Sequence, residues 1–145
     1  MDTRAVLDTN VVISGFLWHG PPTNVLMAAA KGQTRLFASA PLYDELPAVL
    51  QRPKLATRLV ETGYSPQSLV TKYSGFVTTV RPVEFLEPPR LSDPRDVAVV
   101  ATAYAANAAW IVSGDKHLLE LGTFHDIRIV STAEFLRRLN ADPVP

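Results

Sequence analysis

The sequence predicts an α/β protein, a three-layer α/β/α sandwich around a central parallel sheet, and three observations carry that expectation. Short apolar runs alternate with longer segments of helical periodicity, the connections between them are short, and the 12 prolines are scattered at segment boundaries, Pro47 apart. Parallel strands joined through helices require right-handed crossovers, which cover both faces of a sheet. With 145 residues, 47% of them hydrophobic and 19% charged, the chain can bury a sizeable core, and its length is that of a single domain over residues 1–145.

Arg4 to Asp8 is an apolar run ending in an acid, the pattern of a buried parallel strand whose carboxyl end meets solvent. Asn10 to Trp18 and Thr23 to Lys31 read as helices, with Gly32 placed to end the second. Arg35 to Ser39 reads as a strand. A helix follows from about Pro41 to Gln51, and Pro47 is expected to kink it, because proline removes one helical hydrogen bond and crowds the preceding turn. Ser65-Pro66 pairs a capping hydroxyl with the residue favoured at the first helical position. Thr78 to Val83 reads as a strand and Glu84 to Pro94 as a loop. Asp93 to Asp96 opens a helix with the apolar stripe Val99, Val100, Ala103 and Tyr104. Trp110 to Ser113 is a further buried strand, Lys116 to Leu121 a short helix and Ile127 to Val130 the last strand. Ser131 and Glu134 form a capping-box pattern for a terminal helix through Leu139.

The chain has no cysteine, which excludes disulfides and thiolate metal sites and leaves oxygen or imidazole ligands suited to hard cations such as Mg2+ or Mn2+. No stretch approaches the roughly 18 apolar residues of a membrane helix, and the expectation is a cytoplasmic protein. Lys plus Arg and Asp plus Glu both number 14, so the strongly basic balance of many nucleic-acid binders is missing. Acids gathered in one pocket and neutralised by divalent ions would leave the remaining surface net positive.

In folds of this class ligands bind beyond the carboxyl ends of the strands, so the placement of acids there is informative. Asp8 ends the first strand, Asp115 lies just past a later one, and Asp96 occupies the first turn of the helix feeding that later strand. Glu45, on the helix after the second strand, can reach the same rim. Each acid has a purely structural alternative. Asp8 can cap the following helix, Asp93 and Asp96 fit an N-cap and third-position pair, Asp115 suits a turn or cap, and Glu45 suits a solvated helix surface. Four carboxylates converging from distant segments would form a costly cluster unless cations fill it.

The run from Val6 to Gly15 (VLDTNVVISG) resembles the opening of PIN domains, nucleases found in many bacterial toxin–antitoxin pairs. The likeness continues through Leu42 to Leu46, Leu50 to Leu55, Asp93 to Asp96, Ile111 to Leu119 and Ile129 to Leu136. The resemblance implies a parallel sheet of about five strands between helices, an acidic metal site binding Mg2+ or Mn2+, and hydrolysis of single-stranded RNA, as in VapC-like toxin ribonucleases. Carried over by position, Asp8, Glu45, Asp96 and Asp115 match the four acids, and Asn10 and Ser113 match the polar residues that orient them or their waters. Ser14 is a further candidate for that role, with local capping or packing as its alternative. Val97 stands where many relatives have Asp, Asn or Glu.

By the same resemblance the chain is expected to be an endoribonuclease toxin with a cognate antitoxin protein as partner, and to form a homodimer. Arg52, Lys54, Arg58, Arg95 and Lys116 are candidate RNA contacts, each with a solvated charge as its alternative. Tyr43, Tyr64 and Trp18 can stack on bases, although packing accounts for them more economically. His117 can touch a phosphate or remain on the helix surface. Two alternatives stand beside the nuclease: a PIN scaffold that binds RNA or a protein without cutting, and an Mg2+-dependent phosphatase using Asp8, which lacks a second aspartate two residues further on.

Overall fold

The strand β1 (Arg4–Leu7) has its last three residues buried, as a strand covered on both faces must. Successive side chains of a strand point to opposite faces, and here they divide between two cores. Ala5 and Leu7 pack with Val12, Leu36, Val112 and Phe135, whereas Val6 packs with Phe37, Val99, Ile111 and Ile129. The same alternation runs through β2 (Arg35–Ala38) and β4 (Trp110–Val112), whose central residues Phe37 and Ile111 face the second core. Two cores on one sheet make the three-layer sandwich, in a computed structural model that describes residues 3–141.

Six strands form one sheet in the order β3-β2-β1-β4-β6-β5, with β3 at Thr78–Thr79, β5 at Thr123–Phe124 and β6 at Ile127–Val130. All neighbours are parallel except β5 and β6. The sheet therefore has one strand more than expected, an antiparallel edge made where His125, at φ 52°, turns the chain back on itself. The strand expected over Thr78 to Val83 shrinks to two exposed threonines plus one further bond from Val80 N–H to the Ala38 carbonyl at 2.9 Å. Pro82 has no N–H to extend the ladder.

Helices α1 (Thr9–Leu17) and α2 (Pro21–Ala30) follow β1, and α3 (Ala40–Leu50) follows β2. Gly15 lies where α1 meets α2: a Cβ there would stand 2.5 Å from Leu26 Cδ1 and 3.0 Å from the Pro22 carbonyl oxygen. The helix α3 runs through Pro47 to Leu50, and Leu46, Val49 and Leu50 are buried around the proline. A helix that the sequence reading lacked, α4 (Pro53–Thr62), buries Leu59 fully and packs Leu55 partly buried against the same core. The next helix, α5 (Pro66–Ser74), opens with reciprocal bonds between the Ser65 and Ser68 hydroxyls and backbone N–H groups, at 2.8 and 3.0 Å. The remaining helices are α6 (Pro94–Ala105), α7 (Lys116–Leu121) and α8 (Thr132–Ala141). At α8 the Ser131 hydroxyl accepts from Glu134 N–H, while the Glu134 carboxylate turns to Arg137 and Arg138 instead of completing the box.

From β1 the chain moves outward to β2 and β3 on one side, then crosses to β4 and β6 on the other. The connections thus diverge between β1 and β4, and a crevice opens at their carboxyl ends. Among the described residues no helix is long and apolar enough to cross a membrane.

Candidate active site

Asp8 follows β1, and its N–H donates to the Val112 carbonyl at 3.0 Å, which carries the β1–β4 ladder one residue into the crevice. It stands at the N-cap position of α1, yet its side chain makes no cap bond there. Instead Oδ2 accepts from the Ser113 hydroxyl at 2.7 Å, and both residues are buried. The Ser113 oxygen accepts in turn from Asp115 N–H at 2.9 Å, so one hydroxyl sets the spacing of two acids. Asp115 is also the N-cap of α7: its Oδ1 accepts from the N–H groups of His117 and Leu118 at 2.8 and 3.2 Å. Capping and site placement coincide in this residue.

Asp96 is the third residue of α6 and only 7% exposed. Asp93 caps that helix through Arg95 N–H at 2.9 Å, and the Arg95 guanidinium grips the Asp93 carboxylate through Nε and Nη2. Glu45 reaches in from the second turn of α3. Its Oε2 accepts from the Thr9 hydroxyl at 2.9 Å, and its Oε1 lies 3.8 Å from Arg95 Nη1. Beneath these helices the Ser39 and Thr102 hydroxyls share a buried bond of 2.7 Å, which ties the start of α3 to α6 and fixes how far apart Glu45 and Asp96 are carried.

Asp8, Glu45, Asp96 and Asp115 line one cavity of about 70 Å³, together with Asn10, Val49, Arg52, Asp93 and Arg95. Segments from residue 8 to residue 115 meet there. Ser113 sits behind the wall, bonded to Asp8, whereas Ser14 is not among the lining residues. Of the five candidate RNA-contacting cations, Arg52 and Arg95 stand at the cavity. Arg58 instead donates to the Leu17 carbonyl at 2.6 Å, and Lys116 lies 3.8 Å from Glu120. Tyr43 and Tyr64 pack edge-on against Tyr73 and Phe16, while Trp18 stays 43% exposed beside Arg58. Thr9 and Arg95 as partners of Glu45 escaped the sequence reading. The one signal for Thr9 was its place directly after Asp8.

The acids are only partly neutralised by their surroundings, with two arginines among the lining residues against five carboxylates. Burial raises the pKa of Asp8; the Ser113 hydroxyl and the Thr9 N–H oppose the shift, and the charges of Glu45 and Asp115 add to it. Asp96 is pushed up to about 6, chiefly by burial and then by the carboxylates of Asp115, Asp93 and Asp8. Asp93 moves the other way, held down by its hydrogen bonds from Arg95. An all-oxygen donor set with excess negative charge fits a hard divalent cation. As the side chains stand, no group of three among the described residues is arranged to hold one ion, and Glu45 is turned to Thr9 and Arg95.

A three-layer α/β fold with an acidic crevice at its switch point defines the class of this chain, and sequence comparison supplies the family. Residues 4–117 match the PIN domain family, and the chain belongs to it. A solved structure of similar fold is that of VapBC2 from Rickettsia felis bound to a DNA fragment from their promoter. It aligns with a TM-score of 0.57 at 14% identity, covering 87% of this chain and 96% of that one. Among curated proteins no sequence match is found.

Proposed function

We propose that this chain is an endoribonuclease that hydrolyses phosphodiester bonds of single-stranded RNA with Mg2+ or Mn2+ at the acidic cavity. The observation that carries the reading is the meeting of four carboxylates from four separate segments in one crevice, two of them with raised pKa values. Asp8, Asp96, Asp115 and Glu45 would hold the cation, which when bound lowers the pKa of water and stabilises charge on phosphate oxygens. Ser113 orients Asp8 and receives the Asp115 N–H, so the first two ligands are placed before any ion arrives. Asn10, at the exposed start of α1, is positioned to steer a water or a phosphate oxygen. Arg52 and Arg95 at the mouth supply the positive charge that holds an RNA backbone beside an acidic pocket.

We further infer a toxin role in the cytoplasm with an antitoxin protein as partner, in line with the VapBC2 likeness. A groove of about 310 Å³ between α1, α2, α4 and α5 supports it. Trp18 and Met27, 43% and 48% exposed, give the groove the apolar wall that a partner's segment would cover. The homodimer is part of the same proposal, and sedimentation at micromolar concentration tests it.

A second reading, RNA binding without cleavage, is favoured by one observation, the commitment of Glu45 to Thr9 and Arg95. A cleavage assay on end-labelled single-stranded RNA separates the two. Nuclease function predicts products with Mg2+ or Mn2+, none with EDTA, and a loss of more than about 100-fold in Asp8→Asn. Retained RNA without products at saturating Mn2+ establishes the scaffold instead, and equal cleavage by Asp8→Asn refutes the assignment.

A further inference from the structure

The two oxygens of Glu45 face two different partners, the Thr9 hydroxyl at 2.9 Å and the Arg95 guanidinium at 3.8 Å. Arg95 is itself anchored. Its Nε and Nη2 are bonded to the Asp93 carboxylate, which caps the helix that also bears Asp96. The guanidinium therefore stands at the mouth of the cavity as a tethered cation, 56% exposed on its side chain. A charge in that place lowers the cost of gathering acids, and it also occupies the glutamate that an entering ion needs.

We propose that Arg95 is a positioning residue that competes with the divalent cation for Glu45: it holds the glutamate on the Thr9 side until an ion displaces it, and so sets the ion affinity of the site. The inference rests on the metal-dependent reading above. Because the pair is partly exposed, the competition is modest. Removing an interaction of this kind corresponds to about two- to fivefold in an equilibrium constant.

Calorimetric titration of the full chain with Mn2+, without RNA, tests this. Arg95→Gln is expected to bind Mn2+ about two- to fivefold more tightly than wild type, and Arg95→Lys, which keeps the charge, to lie between them. In a Glu45→Gln background the same Arg95→Gln change is expected to lose most of that gain, because the contested carboxylate is gone. Unchanged or weaker affinity in Arg95→Gln overturns the competition while leaving the metal reading intact. Equal tightening in both backgrounds also overturns it, since the effect would then be the general field of a surface charge. No Mn2+ binding by any variant, wild type included, overturns both.

Discussion

Replacing Asp96 by Asn should stabilise the protein without divalent ions and destabilise it, relative to wild type, with them. The carboxyl of Asp96 has its pKa pushed from 3.8 up to about 6 by burial and by three neighbouring carboxylates. The folded chain thus holds this proton more tightly than the unfolded chain, so stability is lost as pH rises from about 4 to about 6 and stays lost above. At roughly 1.4 kcal/mol per unit the ionised side chain costs about 3 kcal/mol at pH 7.5. Screening through the cavity mouth and the lost attraction between Asp96 and the N-terminal end of α6, about 0.3–1 kcal/mol, reduce the net gain to about 1–2 kcal/mol. That corresponds to a Tm about 3–6 °C higher for a domain of this size. Thermal unfolding of both proteins in EDTA between pH 4 and 8 measures it, and the difference between them reports Asp96 together with its coupling to Asp115, Asp93 and Asp8. With millimolar Mn2+ wild type should gain stability by mass action and the variant little, so that the order reverses. A variant less stable than wild type at pH 7.5 in EDTA, or a difference that does not change between pH 4 and 6, refutes the reasoning.

Further outcomes follow from single contacts. Ser113→Ala removes the buried hydroxyl between Asp8 and Asp115; it should lower stability by about 1–3 kcal/mol and Mn2+ affinity by about 10-fold or more, and wild-type titration behaviour would count against an orienting role. Gly15→Ala places a Cβ against Leu26 and the Pro22 carbonyl; overpacking of about 1–3 kcal/mol outweighs a helix-propensity gain of about 1 kcal/mol, so Tm should fall while Mn2+ affinity stays, and a higher Tm contradicts the close crossing. Arg52→Gln at the cavity mouth should weaken RNA binding at all sequences and reduce the slope of log affinity against log salt by about 1; an unaltered slope places the RNA elsewhere.

The layer architecture was legible because β1, β2 and β4 write their burial into three adjacent apolar residues each, and because Ser65-Pro66 and Asp93-Pro94 mark helix starts chemically. Most of what escaped depends on weak or distant signals. The strand β5 is two residues long, too little for periodicity to register, whereas α4 has a clear amphipathic pattern around the buried Leu59 that was passed over after Pro53. Asp8, Asp96 and Asp115 could be named because strand ends and first helical turns are visible in a sequence, and Glu45, in the second turn of α3, by the reach of its longer side chain. The state of Glu45 could not, since its partners lie 36 residues before it, at Thr9, and across the chain at Arg95. The helix α3 runs on through Pro47 to Leu50, with Leu46, Val49 and Leu50 buried on either side of the proline.

The carboxylates of the crevice are proposed to serve one divalent-ion centre. Anomalous diffraction from crystals grown with Mn2+ tests it most directly. A peak is expected in the crevice between β1 and β4, bounded by Asp8, Asp96 and Asp115, with Glu45 turned away from Arg95 towards the ion. A crevice without a peak at saturating Mn2+, or an ion bound only at some other place on the surface, would contradict it.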